Sequence, residues 1–261
     1  MKTVEVDIAR KLYRARNGGP DLLALRDLKL TVAQREFTCI VGPSGCGKTT
    51  LLNIVSGLDE DVEGAVRVAG HAPGEGQPVG YMFQSPRLMP WLSVRDNVAL
   101  VLGEGADSAA ADELLRQVGL GDFMDAWPGE LSGGMRRRVA LVRAFVTGPE
   151  LLLLDEPFLS LDAPVANRLR LLLLDIWQSR PTTIIFVTHD LREALFLADR
   201  VLFMSPSPGR IVLDLPIDLE RPREAEGEAV EMKRLELLKT YPDILAGLTA
   251  SAEEGGDDHA D

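Results

Sequence analysis

Cysteine is scarce in this chain of 261 residues, and so are the features that would set it in a membrane or on a nucleic acid. The two cysteines, Cys39 and Cys46, lie seven positions apart in an apparent strand and an apparent loop, which argues against a disulfide scaffold and suits a reducing compartment. No run of eighteen apolar residues occurs, so no bilayer-spanning helix is expected. The opening stretch MKTVEVDIARKLYR alternates with a strand period and lacks the apolar block of a signal peptide. Positive charge is in deficit: 28 Lys and Arg stand against 40 Asp and Glu, for a net charge of -12. That surplus repels nucleic-acid phosphates and anionic lipid, so no nucleic acid is expected and any membrane role must run through a protein partner. Internal repeats are absent as well. The reading is of a cytoplasmic protein, long enough for one large or two small domains with a sizeable core.

What is present is punctuated apolar text. EFTCIVG (36–42), LLLLDEP (151–157), TTIIFVTHD (182–190) and RVLFMS (200–205) are continuously hydrophobic runs bounded by turn or polar residues, the pattern of strands covered on both faces in a parallel sheet. Helical periodicity alternates with them at 48–56 and 163–179, which predicts an α/β fold. VEVDIARKLY, LRDLKLTV and EGAVRVAG alternate instead, and read as half-buried antiparallel strands forming a small β layer on the main sheet. The expected division is 1–84 for a nucleotide-binding core with that β layer, 85–146 for a helical lobe, 147–222 for the remainder of the core, and 223–261 for a C-terminal helix at 230–240 and the acidic tail SAEEGGDDHAD.

Two glycine turns precede helices. GPSGCGKT (42–49) matches GxxxxGK[ST], follows a strand and opens a helical pattern, the context that a phosphate-binding loop requires. Its backbone, from Gly42 through Pro43, Ser44, Gly45, Cys46 and Gly47 to Lys48, Thr49 and Thr50, would wrap a nucleotide phosphate at a helix N-terminus. Lys48 supplies a point charge for the β- and γ-phosphates, and the Thr49 hydroxyl is a ligand for Mg²⁺. Cys46 either has its thiol pKa lowered beside that helix or is a small residue turned away from the phosphates. LLLLDEP ends a buried strand in two adjacent carboxylates, which can divide the work: Asp155 toward the metal shell and Glu156 toward the water that attacks the γ-phosphate. The second turn, LSGGMRRRVALVRA (131–144), raises the question of why one chain would need two such devices.

With LSGGM about twenty residues before LLLLDEP, the chain resembles the ATP-binding subunit of an ABC transporter, a P-loop NTPase whose signature LSGGQ occupies that place. The resemblance runs to about residue 223 and implies ATP and Mg²⁺ as ligands and two subunits paired head to tail. Each ATP would lie between one copy's P-loop and the other's Ser132, Gly133 and Gly134, and hydrolysis would loosen the pair and move a transmembrane partner. By the same resemblance, Gln84 is the glutamine that contacts Mg²⁺ or water, Ser160 and Asp162 form the loop crossing the dimer interface, and His189 holds the γ-phosphate and attacking water. Tyr13 resembles the aromatic that stacks on adenine, although the insertion NGGPD follows it and an ordinary edge-strand role stays open.

Met135 stands where the signature has Gln, and Arg137 where Gln is common. The run Arg136 to Arg138 is either a solvated or interface face or a source of positive charge near the partner's nucleotide. Leu88, Met89, Pro90 and Trp91 either receive a permease subunit or build the core of the helical lobe. LMPWLSVRDNV and MSPSPGRIV resemble the branch importing nitrate, sulfonate or taurine, which implies a homodimer acting on membrane permease subunits at the inner face of the membrane, with a solute-binding protein engaged indirectly. An exporter or lipid-handling ATPase, and a non-transport ABC ATPase, are the alternatives.

Overall fold

Two sheets of different character carry the chain. The computed structural model describes residues 2–15, 19–76, 78–103, 108–159, 161–180 and 182–249, so Ser160, part of the NGGPD insertion and the acidic tail lie outside the described residues. The first sheet is antiparallel, with β1 (Lys2–Tyr13) between β2 (Leu22–Ala33) and β4 (Glu63–Val68). The second has six strands in the order β5-β6-β7-β3-β8-β9: β5 (Val79–Met82), β6 (Leu151–Asp155), β7 (Thr183–Thr188), β3 (Phe37–Val41), β8 (Arg200–Met204) and β9 (Ile211–Pro216). Its strands are parallel except β9, which runs antiparallel along the edge.

The apolar runs explain the second sheet. Every residue of β3, β6 and β7 is buried, because alternate side chains leave in opposite directions and both directions are covered. Cys39, Leu152, Leu154, Ile184 and Phe186 point into a core built with α5 (Ala163–Ser179), α6 (Leu191–Leu197) and α7 (Glu228–Thr240). Ile40, Leu151, Leu153, Ile185 and Val187 point the other way, onto α1 (Lys48–Val55) and the antiparallel layer. Each fully buried Leu, Ile, Val or Phe contributes about 1.5–3 kcal/mol.

A third core fills the helical lobe, where α2 (Val94–Ala99) and α3 (Ala109–Gln117) meet α4 (Gly133–Phe145). Val139, Val142 and Val146, with Met135 half-buried, face this lobe at helical spacing, while Ala140, Leu141, Ala144 and Phe145 of the same helix pack on the main sheet. One helix therefore belongs to both cores, and any tilt of the lobe acts on the sheet through α4.

The short strands β5 and β9 and the helix α6 are additions to the sequence reading. VGYM is too brief to stand out by pattern, and β9 is an edge strand with alternating half-exposed residues, which needs a neighbour to define it.

Both cysteines are buried, Cys39 in the middle of β3 and Cys46 beneath the glycine loop, and burial pushes each thiol above its ordinary range. A thiol-titrating reagent at mildly alkaline pH should find essentially no reactive group in the native protein and both after denaturation; rapid labelling of the folded chain would contradict this placement.

Candidate active site

The strands end level. Val41 pairs with Thr188 across β3 and β7, and Asp155 pairs with Val187 across β6 and β7. The loop after β3, the carboxylates at the end of β6 and His189 after β7 are thereby neighbours, at the carboxyl edge where ligands bind in such sheets.

The loop 42–47 folds tightly because of its surroundings. Gly47 is the N-cap of α1 with φ 101°, a left-handed conformation that a side chain would resist. A Cβ there would also strike the Leu25 side chain of β2. From the far side the loop after β8 braces it: the Gly209 N–H donates to the Ala24 carbonyl, the Arg26 N–H donates to the Gly209 carbonyl, and a Cβ on Gly209 would collide with the Cys46 carbonyl.

Lys48 is 6% exposed, and its ammonium donates to the carbonyls of Gly42 at 2.8 Å and Pro43 at 2.9 Å, with Glu156 Oε1 at 3.9 Å. The Thr49 hydroxyl donates to Asp155 Oδ2 at 2.8 Å. Burial pushes the Asp155 carboxyl up, and the Thr49 hydrogen bond opposes that shift. Glu156 adopts φ 44°, sparsely populated for a residue with a side chain. Its N–H donates to the Val187 carbonyl at 3.0 Å, and its carboxylate lies 3.5 Å from His189 Nδ1.

Lys48, Thr49, Glu156 and His189 line a cleft of about 520 Å³ together with Tyr13, Ser44, Gly45, Gly47, Thr50 and Gln84, while Asp155 is not among the lining residues and meets the cleft through its bond to Thr49. Leu22, Ala24, Leu159 and Ser207 line it too and carry no motif of their own. Ser207 reaches the site only because β8 lies beside β3, and the Ser-Pro turn text after β8 was the one available signal. The carbonyls of Gly42 and Pro43 hold Lys48 rather than face the cleft. Cys46 turns into the core with Sγ 3.9 Å from Lys48, and burial raises its thiol, which corrects the low-pKa alternative.

Tyr13 ends β1, the central strand of its sheet, which corrects the edge-strand reading, and it lines the cleft. Its hydroxyl donates to Asp59 Oδ2 at 2.9 Å and lies 3.4 Å from Thr50 Oγ1. Beneath the ring, 4.6 Å from its centroid, sits the ammonium of Lys11, which is 2% exposed and bound to Asp59 Oδ1 at 2.7 Å and to the Asp61 carbonyl.

The second glycine turn is elsewhere. Ser132 is the N-cap of α4, its hydroxyl accepting from the Met135 N–H at 3.2 Å; a Cβ on Gly133 would point into open space, and Gly134 faces Val165 of α5. None of the three lines the cleft of its own chain. Asp162 caps α5 by accepting from the Val165 N–H at 2.9 Å, so its carboxylate serves that helix and is not among the cleft-lining groups.

The arginine run is not a freely solvated face. Arg136 donates to the carbonyls of Pro128 and Leu131, Arg138 to that of Val118, and Arg137 to those of Gln84, Glu156 and Pro157, each within the same chain. The quartet 88–91 divides: Leu88 packs on both the main and lobe cores, Met89 lines a mostly apolar cleft with Tyr81, Arg87, Leu100 and Val101, and Trp91 is 66% exposed. Asn97, fully buried, ties this segment down by accepting from the Met89 N–H and donating to the carbonyls of Met89, Leu92 and Ser93.

The donors around Thr49 and Asp155 are hard oxygens, with the Gln84 amide on the same cleft wall. Among the described residues no cluster of three or more His, Cys, Asp or Glu could hold a metal by itself. One carboxylate and one hydroxyl suit Mg²⁺ that arrives on nucleotide phosphates, and the residues fit that ion.

Comparison with known proteins agrees with this geometry. Residues 25–159 match the family model described as ABC transporter. The chain is 45% identical over 240 residues to an aliphatic sulfonates import ATP-binding protein of Burkholderia cenocepacia, covering 91% of this chain and 87% of that one. It is 44% identical over 220 residues to the protein of the same description from Bacillus licheniformis, covering 83% and 86%. Among solved structures, the ATP-binding cassette MJ0796 in its dimeric post-hydrolysis state with ADP and Pi superimposes with a TM-score of 0.73 at 28% identity, covering 83% of this chain and all of that one.

The buried pair beneath Tyr13 yields a stability prediction. Asp59→Asn should cost about 2–3 kcal/mol by leaving the Lys11 ammonium with the Asp61 carbonyl and only the exposed Asp61 carboxylate, 3.8 Å away, measured by denaturant unfolding; an effect below about 0.5 kcal/mol would show that the pair contributes little.

Proposed function

The chain belongs to the ABC transporter family and is an ATPase, and on that premise we propose that it powers the import of a small anionic solute of the aliphatic sulfonate type through membrane permease subunits. The observation that carries the hydrolytic part is the row formed by Lys48, Asp155, Glu156 and His189 at the level ends of three parallel strands. The solute class rests on the relatives, which are described as sulfonate import ATP-binding proteins.

Each residue has work that its position suits. The loop N–H groups and Lys48 hold the nucleotide phosphates, and binding draws Lys48 away from the Gly42 and Pro43 carbonyls that now satisfy it. Thr49 and Asp155 would hold Mg²⁺, with Gln84 as a further oxygen donor to the ion or its water. The ion's chemistry is to neutralise charge on the β- and γ-phosphate oxygens. Glu156 takes the proton of the attacking water, and His189, beside it, holds the γ-phosphate. Tyr13 offers one ring face to adenine, its hydroxyl fixed by Asp59 and its other face covered by Lys11.

Ser132, Gly133 and Gly134 stand outside the cleft of their own chain, and open space lies before Gly133, which supports a role toward the nucleotide of a second copy. That the similar cassette MJ0796 is dimeric supports the presence of a second copy. The apolar cleft around Met89, with exposed Trp91, is the surface for the permease, since it opens just beyond Gln84 and can sense the site. Among the described residues no helix is long and apolar enough to cross a membrane, so attachment at the inner face runs through that permease, and a solute-binding protein would act at a further remove.

Phosphate release by the full chain tests the hydrolytic reading. Glu156→Gln should lower turnover by about a hundredfold or more while ATP still binds and holds the dimer together; turnover above about a tenth of wild type would show that the base is misassigned. Tyr13→Ala should weaken ATP binding about tenfold with little change in kcat, read by nucleotide titration, and an unchanged affinity would remove the tyrosine from the adenine site.

A further inference from the structure

Arg137 lies in the first turns of α4, just past the Ser132 to Gly134 turn, yet its side chain leaves the lobe. Its Nη1 donates to the Pro157 carbonyl at 2.9 Å and reaches the carbonyls of Gln84 at 3.3 Å and Glu156 at 3.4 Å. The flanking arginines behave differently: Arg136 and Arg138 bind carbonyls of their own lobe, at Pro128, Leu131 and Val118. Arg143, farther along α4, donates to the carbonyls of Pro86 and Arg87, after Gln84. Of these four arginines only Arg137 touches both loops that carry hydrolytic groups, the one after β5 and the one after β6. Its charge is met by carbonyl oxygens rather than by a carboxylate, and burial lowers its pKa.

What it touches needs holding. Glu156 sits at φ 44°, which its neighbours must impose. The N–H of that residue is fixed by the Val187 carbonyl of β7, and its own carbonyl faces Arg137. Between these anchors the carboxylate is aimed at Lys48 and His189.

We propose that Arg137 is a positioning residue for hydrolysis: from the signature helix it clamps together the backbone after β5, at Gln84, and the backbone after β6, at Glu156 with Pro157, and so makes the aim of the Glu156 carboxylate depend on the placement of the helical lobe. A guanidinium suits this because its long stem carries Nη1 from α4 to all three carbonyls and it keeps its charge. The proposal rests on the reading of Glu156 as the base.

The experiment is steady-state phosphate release by the full chain as wild type, Arg137→Ala, Arg137→Lys and Glu156→Gln, with thermal midpoints alongside. Arg137→Ala should lower kcat about tenfold while the KM for ATP stays within about twofold, because the phosphate loop is untouched and only the aim of the base is lost. Arg137→Lys should fall between alanine and wild type at unchanged KM, since its ammonium keeps the charge and its N–H donors but sits on a shorter side chain than the guanidinium, and it carries the test if the alanine variant does not fold. The proposal is overturned by a kcat within about twofold of wild type in Arg137→Ala, by kcat and KM moving together with a lost thermal midpoint, or by a lysine variant no better than alanine. If Glu156→Gln keeps wild-type turnover, the hydrolytic reading fails and the clamp falls with it; if Glu156→Gln is inactive and Arg137→Ala is not impaired, the clamp alone fails.

Discussion

Val41 opposite Thr188 and Asp155 opposite Val187 set three parallel strands to end at one level, and the chemistry of the protein hangs from that edge. A parallel pair shifted by one residue would turn Asp155 to the other face of the sheet and carry Glu156 away from Lys48. The register is secured by burial on both faces, since Leu152, Leu154, Ile184 and Phe186 pack one way and Leu153, Ile185 and Val187 the other. The charged groups are thus held by apolar packing rather than by one another, and their mutual distances, 3.9 Å from Lys48 to Glu156 and 3.5 Å from His189 to Glu156, leave them free to regroup around a nucleotide.

The second glycine turn belongs to another part of the molecule. It is carried by α4, the helix shared between the lobe core and the main core, and it faces outward beside the start of α5. A site divided in this way ties nucleotide hydrolysis to the separation of two copies, because the γ-phosphate is the group on which both halves close. The shared helix gives the chain a mechanical path between its lobe, its signature turn and its own sheet.

Much of the core was legible because fully buried parallel strands leave continuous apolar text, and because glycine and lysine at fixed spacing mark a phosphate loop wherever it falls. Positions of the four central strands, of α1 and α5, and of the antiparallel layer all follow from that text. What escaped was defined by neighbours distant in sequence. Ser207 reaches the cleft through the adjacency of β8 and β3, and Asp59 reaches Tyr13 from the end of the loop after α1. Arg137 reads on paper as one of three surface charges, and only the crossing of α4 over the loop after β6 turns it toward the carbonyls of Glu156 and Pro157. Side-chain direction along a helix is set by what the helix lies against, which local pattern does not record.

The central claim is that the nucleotide is enclosed by the phosphate loop of one copy and the signature turn of another. The most direct measurement mixes two singly substituted chains, Ser44→Cys and Ser132→Cys, each carrying Glu156→Gln, and treats them with a short bifunctional thiol reagent that cannot reach the buried native cysteines. The account predicts an ATP-dependent cross-linked dimer in the mixture, well above what either chain forms alone. A cross-link closing efficiently within one chain that carries both substitutions at high dilution, or none in the mixture with ATP, would contradict it.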